Sequence, residues 1–132
     1  MGNDPGRHPQ ILIVEDDSLI RELMKRIVEI EDHWQPTVVK SGANAVEAWE
    51  NGDFDVILMD LRMPEIDGIE ATKRIREHEK RSGRKRTPII AFTVMVGEEY
   101  RQKCDEAGMD DFIEKPGNIK NVVGTIYKHL PL

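Results

Sequence analysis

Asp55–Gly68 reads DVILMDLRMPEIDG, and the interpretation of this stretch decides the architecture. Val56-Ile57-Leu58-Met59 is an uninterrupted apolar run. It lacks polar alternation, as expected of a strand covered on both faces in a parallel sheet. The run stops at Asp60. A carboxylate directly after a buried strand lies where the backbone leaves the sheet, at the edge where open α/β sheets place their chemistry. Pro64, Asp67 and Gly68 are turn formers that delay the next helix, so a loop holds Asp60 at the bottom of a crevice. Taken alone, Asp60 reads equally well as the plain end of a strand.

Similar units lie on either side. Ile11-Leu12-Ile13-Val14 is a first buried strand ending in Glu15-Asp16-Asp17. Asp17 or Ser18 then caps a helix whose apolar stripe is Ile20, Leu23, Met24, Ile27 and Val28. Pro36–Lys40 is a second strand, Ser41-Gly42 a turn, and Ala43–Asn51 a helix closed by Gly52. After strand three a helix runs from Ile66 to Lys80, with Ile69 and Ile75 inward and Glu70–Arg74 and Lys73–Glu77 paired one turn apart. Arg81–Arg86, RSGRKR, reads as a solvated basic connection rather than a nucleic-acid patch. Pro88–Phe92 is strand four, ending at Thr93, and a helix over Gly97–Ala107 is closed by Gly108. Phe112-Ile113 forms the core of strand five, which stops at Lys115-Pro116. The last helix, Asn118–Leu130, buries Val122, Val123, Ile126, Tyr127 and Leu130. Residues 1–10, MGNDPGRHPQ, have no apolar periodicity and read as a flexible leader or linker, which leaves 11–130 as the domain.

Strand–helix alternation without repeats means an α/β fold with helices on both faces of a parallel sheet. The number of units favours a flavodoxin-like, doubly wound (βα)5 three-layer sandwich with strand order 2-1-3-4-5, its switch point between strands one and three. That places the ends of those strands, Asp16 and Asp60, side by side.

The totals fit this reading. A chain of 132 residues is one domain able to bury a core, and 39% apolar with 33% charged residues is an ordinary globular balance. A net charge of −6 argues against electrostatic binding to nucleic acid or anionic membranes. The single cysteine, Cys104, excludes an internal disulfide and fits a reducing compartment. No apolar run reaches the length of a membrane span or signal-peptide core, so a cytoplasmic location is the expectation.

Four strand ends deliver polar groups to one edge: Glu15 and Asp16, Asp60, Thr93, and Lys115. Carboxylates about 4 Å apart repel by roughly 4 kcal/mol at an effective dielectric near 20, so something positive must offset them. Hard oxygen ligands with room for water suit Mg²⁺ rather than zinc. With Lys115 as a second positive charge, Thr93 as a hydrogen-bond donor and a carboxylate nucleophile, the set describes a phosphoryl-transfer site. Strand-end caps dispersed by solvent are the structural alternative.

The chain resembles the receiver domains of two-component response regulators over Ile11–Leu130. The resemblance is carried by LIVEDD, VILMDLRMPEIDGIEA, PIIAFT and EAGMDDFIEKP; the basic connection after helix three has a few extra residues. It implies that Asp60 accepts a phosphoryl group from a histidine kinase or histidine phosphotransfer protein. It also implies that Asp16, Asp60 and the Arg62 backbone carbonyl hold Mg²⁺, with Glu15 acting through water. Thr93 and Lys115 match the switch hydroxyl and the phosphate-pairing lysine, Phe112 the switch aromatic, and the Lys115–Pro116 bond is expected to be cis. Phosphorylation would draw Thr93 toward the new oxygens, let Phe112 rotate, and alter the face formed by helix four, strand five and helix five for a partner or output domain. Such a protein is a signalling phosphoacceptor, not an enzyme beyond assisting its own phosphorylation and autodephosphorylation.

Some positions depart from the usual pattern. Val94 stands where such domains commonly have a small residue, and its methyls are expected to narrow the approach to Asp60. Arg62 and Met95 flank the site where side chains tune the lifetime of the acyl phosphate. Phe112 replaces the frequent tyrosine, and Gly117 loosens the entry to helix five. The four histidines are scattered without metal-ligand spacing, and Cys104 reads as a bland thiol. Two other functions compete with this one: a non-phosphorylated scaffold, which the full residue set opposes, and an aspartyl-nucleophile phosphatase. Dehalogenase-type phosphatases need a second Asp where this chain has Arg62. Only Pro131-Leu132 follow the last helix, so the sequence reads either as a stand-alone regulator or as the receiver portion of a hybrid kinase or longer regulator.

Overall fold

The computed structural model describes residues 8–31, 33–63, 65–95, 97–115 and 119–130. Five strands alternate with five helices: β1 (Gln10–Val14), α1 (Ser18–Ile30), β2 (Gln35–Val39), α2 (Gly42–Asn51), β3 (Val56–Met59), α3 (Gly68–Ser82), β4 (Ile89–Thr93), α4 (Glu98–Ala107), β5 (Asp111–Glu114) and α5 (Ile119–His129). The sheet is parallel throughout, in the order β2-β1-β3-β4-β5 that the strand pattern implies.

The three inner strands, β1, β3 and β4, are apolar and buried on both faces because each face carries a separate core. Ile11, Ile13, Leu58, Ile90 and Ile113 pack toward Met24, Ile27 and Val28 of α1 and Val122 and Ile126 of α5. Their neighbours in the pleat, Leu12, Val14, Ile57, Met59 and Ile89, pack toward Trp49 of α2, Ile75 of α3 and Cys104 of α4. Trp49 is fully buried, and its indole N–H donates to Thr87 Oγ1 at 3.2 Å.

Asp17 is the α1 cap, its carboxylate accepting the Leu19 and Ile20 amides at 2.9 and 3.1 Å. The expected inward stripe of α1 needs correction. Leu23 is 52% exposed, on the same outer side as Leu19 and Ile30, because the helix turns Met24, Ile27 and Val28 to the sheet and leaves Ile20 half-buried. Tyr127 of α5 is likewise exposed at its outer end. Its ring packs 4.9 Å from Trp34 while its hydroxyl donates to Glu31 Oε1, an apolar body with a wet tip.

Helix α3 starts later than expected, at Gly68 rather than Ile66, because Asp67 takes the cap position and accepts the Glu70 amide at 2.8 Å. A Cβ at residue 68 would stand 2.1 Å from the Asp60 carbonyl oxygen, so only glycine allows this helix to begin against the strand-three exit.

The basic stretch is largely exposed to solvent, as expected, but two of its arginines also make hydrogen bonds to neighbouring elements. Helix α3 continues through Ser82 to Gly83 in the left-handed conformation (φ 71°), and the arginines beyond it are docked. Arg84 donates to the Gly52 carbonyl (2.8 Å) at the end of α2 and stacks over Trp49. Arg86 donates to the Gly108 carbonyl and Asp110, behind α4. Buried Arg76 binds the same carbonyl together with Glu79, Asp110 and the Thr87 carbonyl. The expected Glu70–Arg74 pair forms at 3.2 Å. The Lys115–Pro116 bond and Gly117 lie outside the described residues, as do Pro64 and residues 1–7.

Candidate functional site

Two adjacent parallel strands set the acidic cluster. Val14 and Met59 are register partners, so Glu15 and Asp60 leave the sheet side by side. Their backbones are pinned as they do so: the Asp60 amide donates to the Val14 carbonyl and the Glu15 amide to the Val39 carbonyl, both at 3.0 Å. Glu15 and Asp60 are 1% and 3% exposed, whereas Asp16 faces solvent. One carboxylate oxygen from each of the three lies within 4.8 Å of the others.

Lys115, at the end of β5, closes the cluster. Its Nζ contacts Glu15 Oε1 at 2.5 Å and Asp60 Oδ2 at 3.5 Å, with its side chain 8% exposed. The Arg62 amide donates to Asp60 Oδ1 at 3.2 Å and the Asp17 amide to Glu15 Oε2 at 3.1 Å. Burial, and then the negative charge of Glu15, push the Asp60 carboxyl up to about 7, against the opposing pull of Lys115 and the Arg62 amide. The cluster thus carries more negative charge than its protein partners neutralise.

Thr93 is fully buried at the end of β4. Its Oγ1 accepts the Met95 amide at 3.1 Å, and its carbonyl accepts the Lys115 amide at 2.8 Å, which joins two of the expected site residues through the backbone. A cleft of about 370 Å³ opens beside Asp16, lined by Leu61, Arg62, Met63, Asp67 and Met95. Met95 therefore flanks the site as expected. Val94 is 53% exposed and is not among these lining residues. Phe112 is half-buried on β5, beneath Arg101 of α4.

Glu15, Asp16, Asp60 and Lys115 thus stand in one cluster at one edge of the sheet, with Thr93 tied to it through the backbone, while Phe112 lies further back on β5 under α4. Sequence reasoning missed Arg21, whose Nη1 donates to the carbonyls of Glu15 (2.9 Å) and Asp16 (3.2 Å) and so braces the loop that presents both acids. Its signal was an arginine one turn into the helix that follows the acids. Chemically, the three carboxylates are an all-oxygen donor set with excess negative charge and solvent on one side, which fits a hard divalent cation.

The profile of the response regulator receiver domain matches residues 11–127. The chain is a receiver domain. Similar proteins include the hybrid signal transduction histidine kinase B of Dictyostelium discoideum, 36% identical over 92% of this chain and 7% of the kinase. The receiver spans 15%, 7% and 4% of the first three kinases it matches, and 47% of a transcriptional regulatory protein. The receiver domain of the Pseudomonas aeruginosa sensor histidine kinase PA1611, described with a magnesium ion coordinated in its active-site cleft, superposes with a TM-score of 0.82. It is 32% identical, with 92% of this chain and 97% of that one covered. The receiver domain structure of Saccharomyces cerevisiae Ssk1, co-crystallised with the histidine phosphotransfer signalling protein Ypd1, gives a TM-score of 0.87 at 28% identity, covering 93% and 89% of the two chains. This receiver is thus a domain of the kind found in two-component signalling proteins. Among its described residues no helix is long and apolar enough to cross a membrane.

Proposed function

We propose that this receiver takes a phosphoryl group onto Asp60 from a phosphohistidine of a histidine kinase or phosphotransfer protein, in the cytoplasm, and passes the change to a partner. The observation that carries this reading is the Lys115 ammonium reaching both Glu15 and Asp60 inside a buried acidic cluster. An Asp60 carboxylate oxygen attacks phosphorus as the imidazole N–P bond breaks, and the imidazole leaves with the bonding electron pair. With one proton carried on the other ring nitrogen or taken up from water, the products are an acyl phosphate and a neutral histidine.

Asp16, Asp60 and the Arg62 carbonyl would hold Mg²⁺, with Glu15 behind them through water. When bound, the ion supplies positive charge to the transferring phosphoryl oxygens. Lys115 supplies a second positive charge from the end of β5 and Thr93 a hydroxyl donor, while Arg21 keeps the acidic loop in place. Thr93 and Phe112 then act as the switch, biasing the α4-β5-α5 face between two arrangements. The co-crystallised yeast pair and the magnesium-bound Pseudomonas receiver support the partner class and the ion. Residues 11–130 would act as the receiver unit, with the preceding residues as leader or linker.

Intact-mass spectrometry after incubation with acetyl phosphate tests this directly. The expected result is one added phosphoryl group that requires Mg²⁺ and is absent in Asp60→Asn. A chain that stays unmodified with acetyl phosphate and with a phosphorylated phosphotransfer protein, also as Val94→Ala, is a binding scaffold instead.

A further inference from the structure

Helix α4 and strand β5 meet in a contact that phosphoryl transfer itself does not use. The Arg101 guanidinium lies over the Phe112 ring, 4.7 Å from its centroid. Its Nη2 is 3.9 Å from Glu114 Oε1. Residues two apart on a strand share a face, so β5 offers a ring and a carboxylate side by side and Arg101 spans both. Beside the ring is a cleft of about 290 Å³ between α4 and β5, in which Phe112, Cys104 and Met109 adjoin Glu98, Asp105 and Asp111. Arg101 is the only cation lining that cleft among the described residues. The ring has space beside it, and one charged contact that resists its leaving.

The same strand leads to the site. Phe112 pairs with Ala91 and Glu114 with Thr93, and the Lys115 amide donates to the Thr93 carbonyl. Movement of Phe112 and the state of Thr93 therefore share one short ladder.

We infer that Arg101 is a positioning residue that latches Phe112 in the pose seen here, so that strength of the latch sets how readily the switch turns. The inference rests on Phe112 being the switch aromatic. A guanidinium over an aromatic face at a half-exposed site biases the ring's two poses about two- to fivefold. If phosphorylation proceeds from the turned pose, releasing the latch raises the competent fraction, and with it the phosphorylation rate, by a similar factor.

The test is a double-mutant cycle of Arg101→Ala and Phe112→Leu with two readouts. One is the initial rate of mass gain with acetyl phosphate and Mg²⁺. The other needs no phosphodonor: the labelling rate of Cys104, the sole cysteine, which lines the same cleft and is 3% exposed. Each variant's labelling rate is normalised to its own thiolate fraction from a pH profile, because the Arg101 charge favours that thiolate. Arg101→Ala is expected to raise both rates about two- to fivefold, Arg101→Lys to recover part of the difference, and neither change to matter once Phe112 is leucine. Unchanged rates in Arg101→Ala, or equal acceleration with and without the ring, would overturn the latch. If no variant gains mass from acetyl phosphate or from a phosphorylated phosphotransfer protein, also as Val94→Ala, the phosphoacceptor reading fails, and the Cys104 cycle still decides whether Arg101 holds the ring.

Discussion

Asp60 is held where its own charge is disfavoured. Burial and the Glu15 carboxylate act against ionisation, and Lys115, nearer to Glu15 than to Asp60, offsets only part of the repulsion. A carboxyl that ionises less readily in the folded state than in the unfolded chain lowers stability once the unfolded chain has ionised. Without metal at pH 8, Asp60→Asn removes one of three clustered negative charges and keeps an oxygen for the Arg62 amide. Thermal unfolding in EDTA is expected to show the variant melting several degrees higher, at about 4 °C per kcal/mol for a domain of this size. A lower melting temperature would mean that the Lys115–Asp60 attraction exceeds the repulsion, and the reading of the cluster as under-neutralised would be wrong. Among the other residues of the site, Arg21 was not legible beforehand because its work is done on backbone carbonyls, which no residue pattern displays.

At the scale of elements, β5 is held from both sides, by Arg101 of α4 and by the end of α5. Asp111 Oδ2 accepts His129 Nε2 at 2.9 Å and lies 3.4 Å from Lys128 Nζ. Desolvation works to raise the Asp111 carboxyl, but the hydrogen bonds from His129 and the Phe112 amide, with the Lys128 charge, leave it below its ordinary value. The stabilisation is therefore complete above the unfolded carboxyl value near 3.8 and is lost as pH falls through the lower folded value. Asp111→Asn should melt a few degrees below the parent chain at pH 6, with the gap closing as pH is lowered below about 4. A gap independent of pH would assign the loss to packing rather than charge. The elements themselves were legible to within a few residues, because buried strands and capped helices leave strong local patterns. The orientation of α1 was misread at Leu23, since a stripe of apolar residues wider than the buried face does not say which edge faces water. The docking of Arg84 and Arg86 was also missed. Their partners are the carbonyls of Gly52 and Gly108, far away in sequence, and a run of basic residues looks the same whether solvated or bound.

For the whole molecule, strand order was readable because alternating units of this number have few ways to wind, and strand ends fixed the edge that carries the site. That edge joins the ends of β1, β3, β4 and β5, so a cation bound there ties residues on separate strands and acts on the stability of the entire domain. The strand ends bring the carboxylates of Glu15, Asp16 and Asp60 together, so residues of two strands can share one divalent ion. Binding to the folded form alone stabilises it by about 1.4 kcal/mol at ten times the Kd, roughly 5 °C here. Thermal unfolding in rising MgCl2 should show that increase in the parent chain and little of it in Asp16→Asn, whose exposed carboxylate can be altered without touching the core. KCl at matched ionic strength separates the two causes, because screening relieves the same repulsion without a site. An equal rise in KCl, or an undiminished rise in Asp16→Asn, would show diffuse screening in place of coordination at the strand ends.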